Sequence, residues 1–399
     1  MAPFSVRNLV FVMTAYFLVL LNYSMVRAAA TTEFINTYGA KASPAGWLGA
    51  LVLLVFAVGG SNRLQARVGF HRAFLALSVL SVGVFAVGQT LLTSGVKEGA
   101  FLLFTWKETY IVMQVHLLLA YANSWLGKKD FLKWVGPIGA AGGLGGTVGG
   151  LLTGQIARTW GTTATLGLGM VFVLLPALVA FGFDKIPGSL SVASNGTSPL
   201  RSIAAPDLRR YVWSIAIITA LTQFVINIAD FQFSVVFEQA LTDSSSRTAY
   251  LGQVYTVTNA LTLLFQLVIL PLGLKYVPER GLHVFIPLSY LVCFGIGLGM
   301  GAGSLFAAAG LYVFMKASDY SIFSSAKELL YHPLAPLQKF GAKYLTDMIV
   351  YRAAKGAIAA LLLSFHGPLG LNVLMVVFLA LWVGMVYVTF RQHRRLFSA

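Results

Sequence analysis

The chain has 399 residues, of which 57% are hydrophobic and only 10% charged, and its mean hydropathy is +0.78. Soluble domains carry about 25% charged residues, so the composition excludes an ordinary soluble protein and implies a polytopic membrane protein. The net charge of +15 does not point to nucleic acid, because Lys and Arg gather at the ends of apolar segments, and the lone Cys293 excludes an intramolecular disulfide.

Apolar runs of membrane-crossing length lie at 9–26, 44–60, 73–92, 100–122, 136–156, 162–183, 211–236, 250–274, 281–302, 304–326, 344–365 and 369–390. They predict an all-α polytopic membrane protein of about 12 transmembrane helices. In the first run, Arg7, the apolar stretch and Ala28-Ala29-Ala30 imitate a cleavable signal peptide. Arg27, directly before those small residues, favours a retained first helix instead. The fifth run, GPIGAAGGLGGTVGGLLTG, places Gly145 with Gly149 and Gly146 with Gly150 at i,i+4, spacing that lets helix backbones approach closely. It lacks the Gly-Lys-Ser/Thr ending of a phosphate-binding loop. Between the sixth and seventh runs lies the one long polar stretch, rich in Ser, Pro and basic residues. It predicts a linker over 186–210 between a six-helix half at 1–185 and another at 211–399. Trp47, Trp106, Trp125, Trp134, Trp160 and Trp213 fall mostly near span ends, as interfacial anchors do.

Of the 28 Lys and Arg residues, nineteen fall on one side when loops are counted alternately, among them Arg63, Arg67, Arg72, Lys185, Arg209 and Arg210. Five fall on the other: Arg27, Lys41, Lys97, Arg158 and Arg247. The positive-inside rule then predicts cytoplasmic termini and a cytoplasmic linker, in a cell inner (plasma) membrane. The halves also echo one another, as in many transporters. Asn22 precedes Glu33 as Asn227 precedes Glu238, and Lys107-Glu108-Thr109-Tyr110 in the fourth run is matched by Lys316 to Tyr320 in the tenth.

The remaining four cations, Lys107, Lys316, Arg352 and Lys355, fall within or at the edge of spans, with Glu108, Asp230, Asp319 and Asp347. A charge at the bilayer centre costs about 2.5–3.5 kcal/mol on insertion scales, so it faces a partner or a watery cavity. Arg352 and Lys355 are three apart and share a helix face, where they repel unless an anion intervenes. An anionic solute would supply that anion, with Arg as a bidentate partner and Lys as a point charge. The alternative is that the charges form ion pairs that only position helices. Asp230 fits a proton-coupling carboxylate or a partner for Lys316 or Arg352. No zincin motif, nucleophile elbow or Ser/His/Asp arrangement is present, and no metal-ligand cluster, so neither an enzyme nor a cofactor is expected.

The segment 316–356 resembles the ATP/ADP translocase family of nucleotide transporters. The resemblance is carried by Tyr320, Ser321, Phe323, Lys327, Glu328, Tyr331, Pro333, Leu334, Lys343, Asp347, Arg352, Lys355 and Gly356, in order and spacing. Asn22, Tyr23 and Arg27 resemble the family's first-helix element, and DFQFSVVFEQAL its seventh-helix element. Ala28, Ala30 and Ser234 stand where the family carries charged residues, which weakens the grip on a polyphosphate. The resemblance implies a major-facilitator-like fold and exchange of nucleotides or other phosphorylated anions. The combined expectation is a secondary transporter with substrate-binding Lys107, Lys316, Arg352, Lys355 and Arg27. Glu108, Asp230, Asp319 and Asp347 would serve as charge-pairing or coupling groups. The expected partners are an anionic small-molecule solute and the bilayer, with no nucleic acid. Two other expectations are a transporter-derived subunit or scaffold bound to further membrane proteins, and a carrier of amphiphiles or lipids.

Overall fold

The computed structural model describes residues 5–184, 199–301 and 303–397, and Lys185 and linker residues 186–198 lie outside them. In chain order the helices are α1 Val6–Tyr38, α2 Ser43–Val68, α3 Phe70–Thr93, α4 Glu98–Ala180, α5 Pro206–Ala240, α6 Ser244–Leu264, α7 Leu270–Tyr276, α8 Glu279–Gly299, α9 Leu305–Ser318, α10 Ser324–Leu330, α11 Pro336–Lys343, α12 Tyr351–Ser364 and α13 Pro368–Phe397. Short π-helical turns join α6 to α7 (Phe265–Ile269), α9 to α10 (Asp319–Phe323) and α11 to α12 (Tyr344–Val350). The twelve apolar runs fall on these helices apart from a few end residues. Eight helical stretches are long and apolar enough to cross a membrane by length and composition, among them Lys133–Ala180, which carries two of the expected runs.

Helix α4 is 83 residues long, about 125 Å if straight, against a hydrocarbon thickness of about 30 Å. It therefore folds back on itself. Gly161, at φ 84°, takes the left-handed conformation that makes one reversal possible. The return brings distant segments together: the Tyr121 hydroxyl donates to the Asp184 carbonyl at 2.7 Å, and the Tyr121 and Phe183 rings lie 4.7 Å apart.

Two compact units result, residues 1–193 with 241–260, and residues 194–240 with 261–399. In the first, the glycine-rich part of α4 is clamped on two faces. A Cβ on Gly145 or Gly149 would run into the α1 backbone at Phe17 or Leu21, and one on Gly146 or Gly150 would meet Asn259 or Thr256 of α6. The Ser24 hydroxyl adds a hydrogen bond to the Gly146 carbonyl at 3.0 Å. The i,i+4 glycine rows seen in the sequence thus serve two different helices, about 100° apart around α4. At the other end of α1, the buried Asn8 donates to the Tyr121 hydroxyl at 3.0 Å and accepts from the Asp184 amide at 3.1 Å.

The second unit is organised around α5, which packs on α9, α12 and α13. Gln232 donates to Asn372 of α13 at 2.8 Å, and the rings of Phe233 and Tyr312 stack at 4.9 Å. The Tyr211 hydroxyl donates to the Leu330 carbonyl at 2.7 Å, tying α5 to the end of α10. Trp382 of α13 is buried between Tyr290 and Phe323.

Candidate functional site

Each unit holds its own cluster of membrane-embedded charge and aromatic rings. In the first, Tyr110 of α4 donates its hydroxyl to Asn22 of α1 at 3.0 Å, and Asn22 in turn donates to the Leu18 carbonyl at 2.8 Å. Tyr23 meets the Tyr110 ring edge-on at 6.1 Å. The guanidinium of Arg27, a half-buried residue, lies over two rings, 5.6 Å from the Tyr23 centroid and 4.3 Å from that of Tyr255 on α6. One turn from Tyr110, the Lys107 ammonium is buried, 2.7 Å from the Glu108 carboxylate and 3.9 Å from the Phe104 ring centroid. Neighbouring side chains on a helix diverge by about 100°, so this pair depends on the length of the lysine stem folding back over Phe104.

In the second unit, Lys316 of α9 pairs with Asp230 of α5 at 3.6 Å, both side chains largely buried. The Lys316 ammonium also lies 5.8 Å from the Tyr312 centroid. Asp319 is buried and makes no ion pair among the described residues, and Lys316 and Lys327 are the cations whose fields reach it. Asp347 is engaged by Lys327 at 2.6 Å, and Lys343 by Glu328 at 2.6 Å. Buried Tyr331 and Thr346 share a hydroxyl hydrogen bond beside them. Arg352 and Lys355 are half-buried on α12. No carboxylate lies within ion-pair distance of Arg352 among the described residues. A separate cavity of about 360 Å³ in this unit is lined by Phe231, Gln232, Leu311, His366 and Asn372, and none of the nine predicted charges borders it.

The structure therefore joins Lys107 to Glu108 and Lys316 to Asp230, sets Arg27 among tyrosines, and gives Asp347 to Lys327. Loop counting assigns Lys327 to the cytoplasmic side and does not reveal that pairing, because twenty residues separate the partners and no local period links them. Tyr255 escapes sequence reasoning for the same cause. The echo between halves holds for the asparagines: Asn227 donates to the Gln223 carbonyl four residues back at 2.7 Å, as Asn22 does to Leu18. It does not hold for the tyrosines. Tyr110 is fully buried whereas Tyr320 is 49% exposed: Tyr110 follows Lys107 by three residues and Tyr320 follows Lys316 by four, which is about 100° further round a helix, and a π turn begins at Asp319.

No family model matches the chain, and no curated protein matches it in sequence. Among solved structures, a mutant form of the nucleoside transporter NupG aligns with a TM-score of 0.73 at 12% identity, covering 96% of this chain and 99% of that one. The fold is major-facilitator-like. A D-xylose-proton symporter aligns at 0.69 and 13% identity over 96% of this chain and 97% of its own, and a bacterial homologue of the iron transporter ferroportin, solved in an inward-facing state, at 0.69 and 12% over 98% and 99%. At such low identity the major-facilitator-like likeness is one of architecture alone. It covers nearly the full length of each chain.

Proposed function

We propose that the chain is a secondary membrane transporter that moves or exchanges an anionic, phosphorylated or nucleotide-like solute by alternating access. The two halves, expected at 1–185 and 211–399, would rock to open the site alternately to each side. Arg352 is the observation that carries the reading: a half-buried arginine on α12, within the apolar run 344–365, with no carboxylate within ion-pair distance among the described residues. An embedded cation of this kind calls for an anion from outside the chain. Lys355, one turn away on the same helix, adds a second positive charge, and Arg27 offers a planar cation held between rings. The resemblance of 316–356 to the ATP/ADP translocases supports the nucleotide-like end of the solute range, and the major-facilitator-like fold supports transport. Lys107 and Lys316 already hold carboxylates, so in this reading Glu108 and Asp230 release them when solute arrives.

The test is exchange in proteoliposomes loaded with labelled nucleotides, sugar phosphates and a neutral nucleoside. Exchange of an anion by the parent, reduced at least about tenfold in Arg352→Ala and Lys355→Ala, is the expected outcome. Equal exchange by parent and variants, or movement of the neutral nucleoside alone, refutes the assignment. A second reading, a transporter-derived subunit of a larger complex, is favoured by the internal closure of Lys107 on Glu108 and Lys316 on Asp230. Stoichiometric co-purifying membrane proteins together with absent exchange would support it.

A further inference from the structure

Within the first unit, α4 and α6 leave between them a groove of about 690 Å³, lined by Gly150, Leu151, Gly154, Arg158, Gln253 and Val257. Its depth in the membrane can be read from its own residues. Arg158 lies two positions before Trp160, which is 68% exposed, and three before the break at Gly161. An exposed tryptophan at a helix break marks the membrane–water boundary. Gly150 to Arg158 spans about 12 Å of helix, less than half of the roughly 30 Å hydrocarbon thickness. The groove is thus the length of one leaflet, with its charged end at headgroup level.

The walls are apolar where the acyl chains would run. Leu151 and Val257 are 60% and 52% exposed, while Gly150 behind them is closed against Thr256 and Gly252 of α6. Gln253 and Thr256 of α6 put two polar side chains along the groove, and Gln155 and Thr159 accompany Arg158 at the other end. The Thr159 hydroxyl is already given to the Gln155 carbonyl at 3.0 Å, which leaves Arg158 as the strong donor. Arg158 is exposed and has no carboxylate within ion-pair distance among the described residues, on the side of the chain that holds only five of its cations. A guanidinium at headgroup level above a leaflet-long apolar slot is complementary to one kind of molecule.

We infer that this groove is a binding site for an anionic phospholipid, with the phosphate on the Arg158 guanidinium and an acyl chain laid along Leu151 and Val257. A bidentate contact from Arg to phosphate is charge-assisted, and the net charge of the headgroup distinguishes this lipid from a zwitterionic one. The site is independent of the transported solute, since it uses none of the charges invoked for exchange.

Native mass spectrometry of the full chain, released from micelles containing phosphatidylglycerol or phosphatidylcholine, tests the inference. The parent should retain phosphatidylglycerol in preference by about fivefold. Arg158→Gln should lose that preference while still holding either lipid weakly. Val257→Trp, which fills the slot from an exposed position, should lose both. Equal retention of the two lipids by the parent overturns the inference. So does retention by Arg158→Gln and Val257→Trp at the parent's level, which would mean that lipid binds elsewhere on the surface.

Discussion

Gly149→Ala adds one methyl group where α4 crosses α1, and its cost can be worked from the geometry. The new Cβ would lie 2.7 Å from the Leu21 Cα and closer still to its carbonyl oxygen, whereas ordinary contact begins at 3.4 Å. The obstruction is backbone, so no rotamer change relieves it, and α1 must move by about 0.7 Å or more, that being the difference between those two distances. Overpacking of this kind costs about 1–3 kcal/mol, and a rigid obstacle puts Gly149 at the upper end. The same shift lengthens the bond from Ser24 to the Gly146 carbonyl, now 3.0 Å, worth about 1 kcal/mol. Alanine returns about 1 kcal/mol through its higher helix propensity. The net loss is about 2–3 kcal/mol, or about 4–12 °C in Tm for a unit of this size.

Gly59→Ala is the control. Gly59 is exposed on α2, and a Cβ there meets nothing within 4 Å. That change should be neutral or raise stability by up to about 1 kcal/mol. Both variants can be compared by the fraction surviving as a monodisperse peak after graded heating in detergent. If Gly149→Ala survives like the parent, or Gly59→Ala falls as far as Gly149→Ala, the close approach of α1 and α4 does not limit the stability of this unit.

Three further outcomes are expected. Lys316→Met and Asp230→Asn should each destabilise by about 2 kcal/mol, less than the 3–5 kcal/mol of a fully buried pair. The double variant should recover about 1–2 kcal/mol in a thermal double-mutant cycle, whereas additive losses would show that the pair is not coupled. Asp243 accepts a hydrogen bond from the Ser246 amide at 2.7 Å at the start of α6, and this holds its carboxyl below the usual range. A lowered folded-state value contributes stability above the unfolded value of about 3.9 and loses it as pH falls through the folded one. The protection factor of the Ser246 amide, taken against the intrinsic exchange rate at each pH, should therefore fall in acid, and fall at neutral pH in Asp243→Ala. For topology, in a Cys293→Ala background an impermeant thiol reagent on intact cells should label Leu369→Cys and spare Leu337→Cys. Both positions are well exposed, and the reverse pattern would invert the predicted orientation.

Much of the architecture was legible because membrane helices must satisfy every backbone group internally, which forces long apolar runs onto the sequence. The glycine rows around 145–150 were legible too, since close approach needs small residues at fixed spacing. Partner choice was not. Arg247 counts as an outer-loop cation in the sequence, yet it is 8% exposed, with its guanidinium donating to the Leu241 carbonyl at 2.6 Å and to Asn36. Two neutral acceptors engage it there, and no charge pattern announces neutral acceptors. Lys327 with Asp347 and Arg27 with Tyr255 are likewise tertiary facts, set by how helices distant in sequence lie against each other.

The π turns show most clearly where local pattern fails. Asp319 opens one and Asp347 lies inside another, so two of the four membrane-embedded carboxylates sit where the regular helical register is interrupted. Such turns are uncommon, and they recur at functional sites because they re-aim side chains that a regular helix would point elsewhere. A 3.6-residue period carried through 319 or 347 assigns the wrong face to residues beyond it. Both interruptions fall in 316–356, the segment that also carries Lys316, Arg352, Lys355 and the translocase resemblance. Breaks in local consistency concentrate where function constrains a chain more tightly than folding does. Two of the three register breaks coincide with embedded charge, the third at Phe265–Ile269 carrying none, and Asp319, buried and without an ion pair among the described residues, stands at the start of one of them.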